Sequence, residues 1–576
     1  MRSPILCSYG RVPAAGVRQL VGLWLAALAA GPVLAQTPPD AGALRQQIEP
    51  ELPPALPKPV APDRSAAPPP MRQRGEATVT VKAFRFAGNK QMSEAQLAPV
   101  VAGFLNRPLA FSELQAAAAA VAEAYRAAGW VVRAYLPAQD VREGVVTIQV
   151  VEGVFGGVRI EGQGPQRVSR ERIIAGFAAH QPVGQPLNTE TLDRALLLAN
   201  DLPGVSLVGR LQPGAQEQET DLALNFVETP LATGNVAMDN QGARSTGAAR
   251  LVGNASVSSP AGLGDQLLAN GLLSEGYRYL RLGYTVPVGY DGWRVGANAS
   301  RLDYRLVADD FKALNARGNS NTVGLEASYP LIRARQRNLY FVANYDHKTY
   351  DNEASQVTTS RYFDNTLSLG LSGNLFDNLG RGGANTASAI FTGGNLNLGQ
   401  SPTQAADAMT ARTAGQFLKM RYGMSRQQVL TDALSATAML SGQMASKNLD
   451  SSEKFYLGGP GGVRAYPIGE GGGSEGQLVN LELRWRLPYG VSLSGFYDWG
   501  HITVNRDNNF PGAPLVNSYH LQGAGLAVQW QPGRGVNLGA TWAHRIGGNP
   551  NATPSGKDQD GSLIKNRVWL TASLSF

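Results

Sequence analysis

Arg464 and Tyr466 are the side chains whose setting invites a specific role. They stand in the run Leu457-Gly458-Gly459-Pro460-Gly461-Gly462-Val463-Arg464-Ala465-Tyr466-Pro467, followed by Ile468-Gly469-Glu470-Gly471-Gly472-Gly473. So many glycines form neither helix nor strand unaided. A guanidinium in such a loop can pair bidentately with a carboxylate and pin a floppy segment. Without a partner, the run is a solvent-exposed or disordered hairpin. Covalent and metal chemistry find no footing. His180, His347, His501, His520 and His544 are scattered, with no His-Glu-x-x-His spacing. No Gly-x-Ser-x-Gly elbow stands on a strand-to-helix turn, and the glycines at 458–473 lack the Gly-Lys-Ser/Thr ending of a phosphate loop. An enzyme is not expected, nor a cofactor or a metal.

The elements that must position Arg464 follow from composition and period. The chain has 576 residues, 43% hydrophobic but only 16% charged, with 67 glycines. That balance suits many short strands and turns. A net charge of +7, without a basic cluster interleaved with aromatics, gives nucleic-acid binding little support. Arg11 and Arg18 precede the apolar run Leu20–Ala30, and Val33-Leu34-Ala35 closes it with small residues; residues 1–35 therefore read as a signal peptide. Cys7, the one cysteine, lies inside it, which leaves no disulfide or thiol chemistry. No 18-residue apolar run follows. If the chain crosses a membrane, it does so as a closed barrel.

Residues 36–75 hold eleven prolines and read as a linker, interrupted by a short helix from Asp40 to Glu49. By itself that piece reads as frayed helix in a disordered tail. Residues 76–153 read as β-α-α-β-β: a strand through Val79 to Phe86, a helix capped by Ser93, a second started by Ser112, then strands at 131–135 and 145–151. Residues 154–229 repeat the pattern, and Gln185-Pro186-Leu187 stands 78 residues after Arg107-Pro108-Leu109. From residue 230 onward the period becomes two. Leu280, Leu282, Tyr284, Val286 and Val288 alternate with polar, small or Pro residues. Leu481, Leu483 and Trp485 alternate with Glu482, Arg484 and Arg486, and Val568 to Phe576 with Arg567 to Ser575. Charges on one face and aromatic-ended apolar residues on the other predict an outer-membrane barrel. At roughly 20–22 residues per strand and connection, residues 230–576 make about 16 strands around a water-filled lumen.

This layout resembles the outer-membrane transporters of two-partner secretion, the haemolysin secretion/activation proteins. The motifs that carry the resemblance are Asp239-Asn240-Gln241-Gly242, Thr246-Gly247 with Arg250, Gly262-Leu263-Gly264-Asp265, the loop Val463-Arg464-Ala465-Tyr466, and Gly495-Phe496-Tyr497-Asp498-Trp499-Gly500. The resemblance implies two POTRA-like domains at 76–153 and 154–229. It also implies a plug helix at about 40–49 inside the lumen, and an inward-folded loop at about 457–477 whose arginine meets an aspartate on the barrel wall. Phe576 would be the C-terminal signal read by the barrel-assembly machinery. Parity then favours Asp498 as that partner. In Val491 to Gly500 the odd residues Val491, Leu493, Tyr497 and Trp499 form the lipid-facing set, so Ser492, Ser494, Phe496 and Asp498 face the lumen. Asp498 lies 34 residues beyond Arg464, with one hairpin between. Parity alone would also suit an aspartate that merely hydrates the lumen. The family reads Val-Arg-Gly-Tyr where this chain has Ala465, and alanine disfavours positive φ.

The expected function is export of a large β-helical exoprotein, adhesin- or haemolysin-like, from periplasm to cell surface, the POTRA-like domains capturing it as an extended chain. A barrel-assembly protein of the same superfamily is one alternative. Two POTRA-like repeats rather than five, with the added helix and linker, count against it. A passive porin is another, and the repeats at 76–229 count against that.

Overall fold

The computed structural model describes residues 38–49, 56–57, 78–141, 143–216, 218–227 and 229–576. The expected signal peptide and most of the Pro-rich linker lie outside the described residues. The chain opens with helix α1 (Ala41–Ile48), whose N-cap Asp40 accepts a hydrogen bond from the Ala43 N–H at 2.8 Å.

The first small domain has strands β1 (Ala83–Ala87), β2 (Val132–Tyr135) and β3 (Val145–Glu152), with helices α2 (Glu94–Val101) and α3 (Phe111–Ala127). The second has β4 (Val154–Glu161), β5 (Ser206–Pro213) and β6 (Glu219–Val227), with α4 (Arg170–His180) and α5 (Thr189–Asn200). In each, the last strand lies central, parallel to the first and antiparallel to the other. Phe86, Leu97, Val121, Tyr125 and Ile148 fill the first core; Phe155, Ile173, Phe177, Leu222 and Leu224 fill the second. Each such side chain contributes about 2 kcal/mol by leaving water. Two local expectations need correction. The first strand is split: Thr78–Thr80 pairs with Pro108–Ala110, and β1 starts after the break where the Lys82 N–H bonds to the Gly144 carbonyl at 2.8 Å. Helix α3 starts at Phe111 and not after Ser112, because the Glu113 carboxylate accepts the Ala110 N–H at 3.0 Å and caps the earlier end.

Sixteen antiparallel strands then close a barrel. The first eight are β7 (Ala232–Asp239), β8 (Arg250–Ser258), β9 (Gln266–Ser274), β10 (Tyr277–Val288), β11 (Trp293–Arg305), β12 (Arg317–Arg333), β13 (Arg337–Ala354) and β14 (Val357–Asp377). The second eight are β15 (Gly383–Asn397), β16 (Gly415–Val429), β17 (Leu434–Ala445), β18 (Glu475–Arg486), β19 (Val491–Thr503), β20 (Ser518–Gly533), β21 (Val536–Arg545) and β22 (Asn566–Ser575). The alternation reads as expected: Leu280, Leu282, Leu481, Leu483, Trp485, Val568 and Leu570 are all exposed on the outer face. Connections beside the small domains have at most seven residues, whereas those at 306–316, 398–414, 446–474, 504–517 and 546–565, at the far end, are long.

The Asp239–Gly242 motif closes the ring. Asp239 holds Arg250 on β8 through two bonds of 2.8 and 3.1 Å. Where β7 ends, the Asn240 carboxamide continues the pairing to β22: it accepts the Leu570 N–H at 2.8 Å and donates to the Val568 carbonyl at 3.0 Å. Phe576 and Gly234 exchange backbone bonds at the other end of this seam, at 2.9 and 3.0 Å. The turn Gly262-Leu263-Gly264-Asp265 faces the second small domain. Asp265 is buried and ties the Ala261 and Leu263 N–H groups at 3.0 and 3.1 Å. Both glycines have φ of 78°, and a Cβ on Gly264 would come within 2.8 Å of Leu202. Two bidentate pairs fasten that domain to the β12–β13 turn: Arg333 with Asp201, at 2.7 and 2.8 Å, and Arg335 with Asp193, both at 2.8 Å.

Candidate functional site

Residues 446–474 join β17 to β18 and turn back into the lumen. The loop was expected at about 457–477; it begins earlier and ends at Ser474, because Glu475 already pairs with Thr503 in the wall. Its neck is a two-residue ladder of Phe455–Tyr456 with Gly472–Gly473. Beyond the neck, tight turns bond Val463 N–H to the Leu457 carbonyl at 2.7 Å and Tyr466 N–H to the Val463 carbonyl at 3.0 Å. Leu457, Val463, Ala465 and Tyr466 are fully buried against Leu478, Phe496, Ile502 and Leu521 of the wall. A glycine-rich tip is thus held by a small apolar cluster that its own four larger side chains complete.

Arg464 anchors the tip. Its Nε and Nη2 donate to the two oxygens of Asp498 at 2.9 and 2.8 Å, and its backbone N–H donates to Oδ2 at 3.0 Å. Nη1 reaches Glu482 at 3.2 Å, and the guanidinium lies 3.4 Å from the centroid of the Phe496 ring. Asn480 donates to Asp498 at 2.8 Å and to the Gly462 carbonyl at 3.0 Å. Every group around the carboxylate is therefore a donor or a cation, as a fully buried charge requires. Trp569 on β22 completes the clamp, its indole N–H donating to the Arg464 carbonyl at 2.8 Å. Sequence reasoning placed Trp569 among the lumen-facing residues without giving it a role. An aromatic at a polar-face position was the available signal, as it was for Phe496.

Ala465 needs no positive φ here, which removes the difficulty its alanine raised. Its methyl group instead uses space left by the wall. A Cβ built on Gly523 would stand 2.6 Å from the Ala465 Cβ, and one on Gly500 would stand 2.7 Å from Leu457 Cδ2. Two wall glycines thus let the loop lie flat on the strands. Tyr466 reaches past them, donating to the Gly548 carbonyl at 3.1 Å with Arg545 stacked 4.2 Å from its ring centroid.

At the far end of the loop, Glu470 is fully buried and accepts from Asn549 at 2.9 Å and from the Gln559 N–H at 2.8 Å, both in the loop 546–565. Burial pushes its carboxyl up to about 7; the Asn549 and Gln559 bonds oppose that rise, and Asp558 and Asp560 add to it.

Helix α1 occupies the rest of the lumen. The Ala41 N–H donates to Asn352 Oδ1 at 2.9 Å, and Arg45 donates to the Tyr350 hydroxyl at 3.1 Å. Asp40 accepts from Ser451 at 2.8 Å, and Gln46 donates to the Ser452 carbonyl, both in the loop. At the other end Glu49 meets Arg45 at 2.8 Å, the Tyr279 hydroxyl, and Arg281 at 3.6 Å. Gly42 allows the seat, since a Cβ there would meet Tyr362 Oη and Ser452 Cβ at 2.8 and 2.9 Å. The helix is a lumen plug, held by polar bonds at its two ends and by Ala41, Leu44 and Ile48 against an apolar patch of the wall that includes Leu302, Tyr304 and Tyr350, and not a frayed tail. Below it lies a cavity of about 740 Å3, bounded by Arg45 and Glu49 above, Arg281 and Arg294 at the side, and Phe177 and Leu198 of the second domain beneath.

A lipid-facing ring of sixteen strands, a lumen closed by a folded-in loop and a helix, and two small α+β domains at one mouth define a barrel transporter. The model of the haemolysin secretion/activation protein ShlB/FhaC/HecB matches residues 218–529, more than half of the chain, and the POTRA domain of ShlB type matches residues 79–153. The chain belongs to this family: it is an outer-membrane transporter of the two-partner secretion type, with its small domains in the periplasm. Among its relatives, the heme/hemopexin transporter protein HuxB of Haemophilus influenzae is 26% identical over 497 residues, 85% of each chain. The outer membrane transporter CdiB of Dickeya dadantii is 24% identical over 508 residues, 85% of this chain and 86% of that one. In fold the chain resembles CdiB from Escherichia coli, with a TM-score of 0.70 and 21% identity over 99% of this chain and 100% of that one.

Two predictions follow from the packing of the loop. Gly523→Ala should drive the tip off the wall and expose it to added protease, and Ala465→Gly in the same chain should restore protection. Protection that survives Gly523→Ala alone would refute the close approach. Because Glu470 is raised in the folded protein, the folded state binds its proton more tightly between the ordinary glutamate range and about 7. Docking of the two loops is therefore firmest below that window and weakens as pH rises through it. Protease protection of 546–565 should fall between pH 5 and pH 8 in the parent, and Glu470→Gln should abolish that dependence.

Proposed function

We propose that the chain exports a large exoprotein that becomes β-helical outside the cell, taking it from the periplasm as an extended polypeptide. The observation that carries this reading is how the lumen is filled. A ring of sixteen strands is wide enough for an aqueous channel, and here an eight-residue helix occupies it through hydrogen bonds at both ends, ion pairs at Glu49 and one apolar face of Ala41, Leu44 and Ile48. Because its apolar contacts are confined to one face of a single short helix, such a filling can be removed. The cavity beneath α1 reaches the second POTRA-like domain, so a chain held on that domain lies directly under the plug.

Capture uses the free sheet edges. Strands β2 and β5 each pair on one side only, and Tyr135, Val208 and Leu211 stand exposed along them. An added strand would gain backbone bonds there whatever its sequence, while those side chains would select apolar positions. The plug then leaves toward the periplasm, on a tether of which Pro57 still touches the wall through the Asn374 side chain at 2.8 Å. The Arg464 loop stays as part of the conduit wall. Passage requires no enzymatic step and no cofactor, since folding of the cargo outside supplies the direction. Phe576, exposed at the end of the last strand, serves as the assembly signal.

Two measurements test the reading. Deleting residues 36–75 should raise open-pore conductance in planar bilayers severalfold; an unchanged pore would put the helix outside the conduit and favour a porin. Arg464→Ala should abolish secretion while the barrel still folds and inserts, as heat-dependent gel migration would show. The charge left on Asp498 would then be unpaired, at a cost of about 3–5 kcal/mol to the docked loop. Normal secretion by that variant would sink the role of the tip.

A further inference from the structure

Arg464 and Asp498 hold only the tip of the folded-in loop, yet the hydrogen bonds between the plug segment and that loop go to its stem. Asp40 is bonded by Ser451 and Gln46 bonds the Ser452 carbonyl, immediately before Glu453. Glu453 is completely buried, and its two oxygens lie 2.9 Å from Lys348 Nζ on β13 and 2.5 Å from Lys419 Nζ on β16. Asp364 on β14, also fully buried, stands directly across from Lys348 in the strand register. Two lysines and two carboxyl groups thus form a buried cluster, three of them on the wall and one on the loop. Gln443 on β17 bonds the Glu453 and Ser474 carbonyls, both at 3.0 Å, so the two legs of the loop share one support.

We infer that Glu453 is a second, separate anchor of the loop, a positioning residue whose attachment to Lys348 and Lys419 holds the seat of the plug. Long side chains from two strands grip one carboxylate, which fixes the backbone of 450–454 in three dimensions. That backbone presents Ser451 and Ser452 to α1. Tyr362 adds to the seat, donating to Asp450 at 2.9 Å while its ring stacks on Tyr350, the partner of Arg45. The tip anchor lies elsewhere on the wall, on β18, β19 and β22, and bonds nothing in α1. The loop therefore carries two functions on two attachments: the tip shapes the conduit, and the stem keeps it shut. This inference rests on the reading that α1 is the removable seal.

Single-channel conductance of the full chain in planar bilayers separates the two. The variants are Glu453→Gln, Glu453→Asp, Arg464→Ala and the 36–75 deletion, with Glu453→Gln also placed in the deletion background. Because Glu453→Gln removes the carboxylate that both lysines grip, Lys419→Met/Glu453→Gln, which removes one cation with it, accompanies it in case the single variant does not fold. Glu453→Gln or its charge-balanced counterpart should reach the conductance of the deletion, severalfold above the parent. Glu453→Asp should stay near the parent, Arg464→Ala should remain closed, and Glu453→Gln should add nothing once the plug is gone. A Glu453→Gln pore as closed as the parent beside an open deletion would overturn the inference alone. A further rise in the deletion background would also overturn it, by showing a loosened wall. If the deletion itself opened nothing, the seal reading would fall, and this inference with it.

Discussion

A backbone N–H or C=O left unpaired in hydrocarbon costs several kcal/mol, and the rest of this molecule follows from avoiding that cost. A sheet in lipid has to close, and closing it leaves two edges to be joined without help from water. The chain meets that demand at β7 and β22 partly with a side chain. Asn240 carries the donor and acceptor of a peptide group just past the end of β7, and spends both on β22. Closure in turn fixes which residues face inward, since a slip of one position would exchange the two faces of every strand.

A closed ring of this size encloses more space than wall side chains can fill, so the interior is built from segments that are not strands. The two that fill it are held in opposite ways. The loop tip has an apolar patch, a bidentate ion pair, an indole clamp and wall glycines that allow contact at backbone distance. Helix α1 has polar bonds spread over its length and rests on Ala41 and Leu44 as its buried apolar contacts. The buried ionic groups Arg464 and Asp498 at the tip, and Arg45 and Glu49 on the helix, are paired, which offsets the desolvation penalty that a lone charge would keep.

The barrel was legible in the alternation because lipid enforces period two without exception for long stretches, as at 280–288 and 481–486. Parity also placed Asp498 inside before any contact was known. What it could not supply is distance around the ring. Lys348, Asp364 and Lys419 fall on inward positions of β13, β14 and β16, but their convergence on Glu453 depends on how far the loop descends. The Phe111 start of α3 escaped for a local reason: Ser112 is the better capping residue by type, yet Glu113 reaches back to the Ala110 N–H and wins the end. The seat of α1 could not be read from residues 40–49, whose composition suits a solvated tail equally well. Its partners lie more than two hundred residues away, and those of Ala41 and Gln46 more than three hundred.

The shortness of α1 bears on how it can leave. Eight residues make a helix of about 12 Å, too short to persist in water without packing. Outside the lumen it would melt into the proline-rich tether, and each residue so released recovers about 1–2 kcal/mol of backbone entropy. That gain offsets much of what its hydrogen bonds contribute in place, each worth about 1 kcal/mol net and more where a charge is involved. Plugged and unplugged states then differ by far less than the gross strength of the contacts suggests. Under the proposed capture, a cargo segment that adds a strand to β2 or β5 and reaches into the cavity below Glu49 would need only a modest differential affinity to shift that balance. A longer or more apolar plug would seal better and release worse. On the proposed mode of export, the eight-residue length and the small apolar face are the features that would let binding at the periplasmic domains open the barrel.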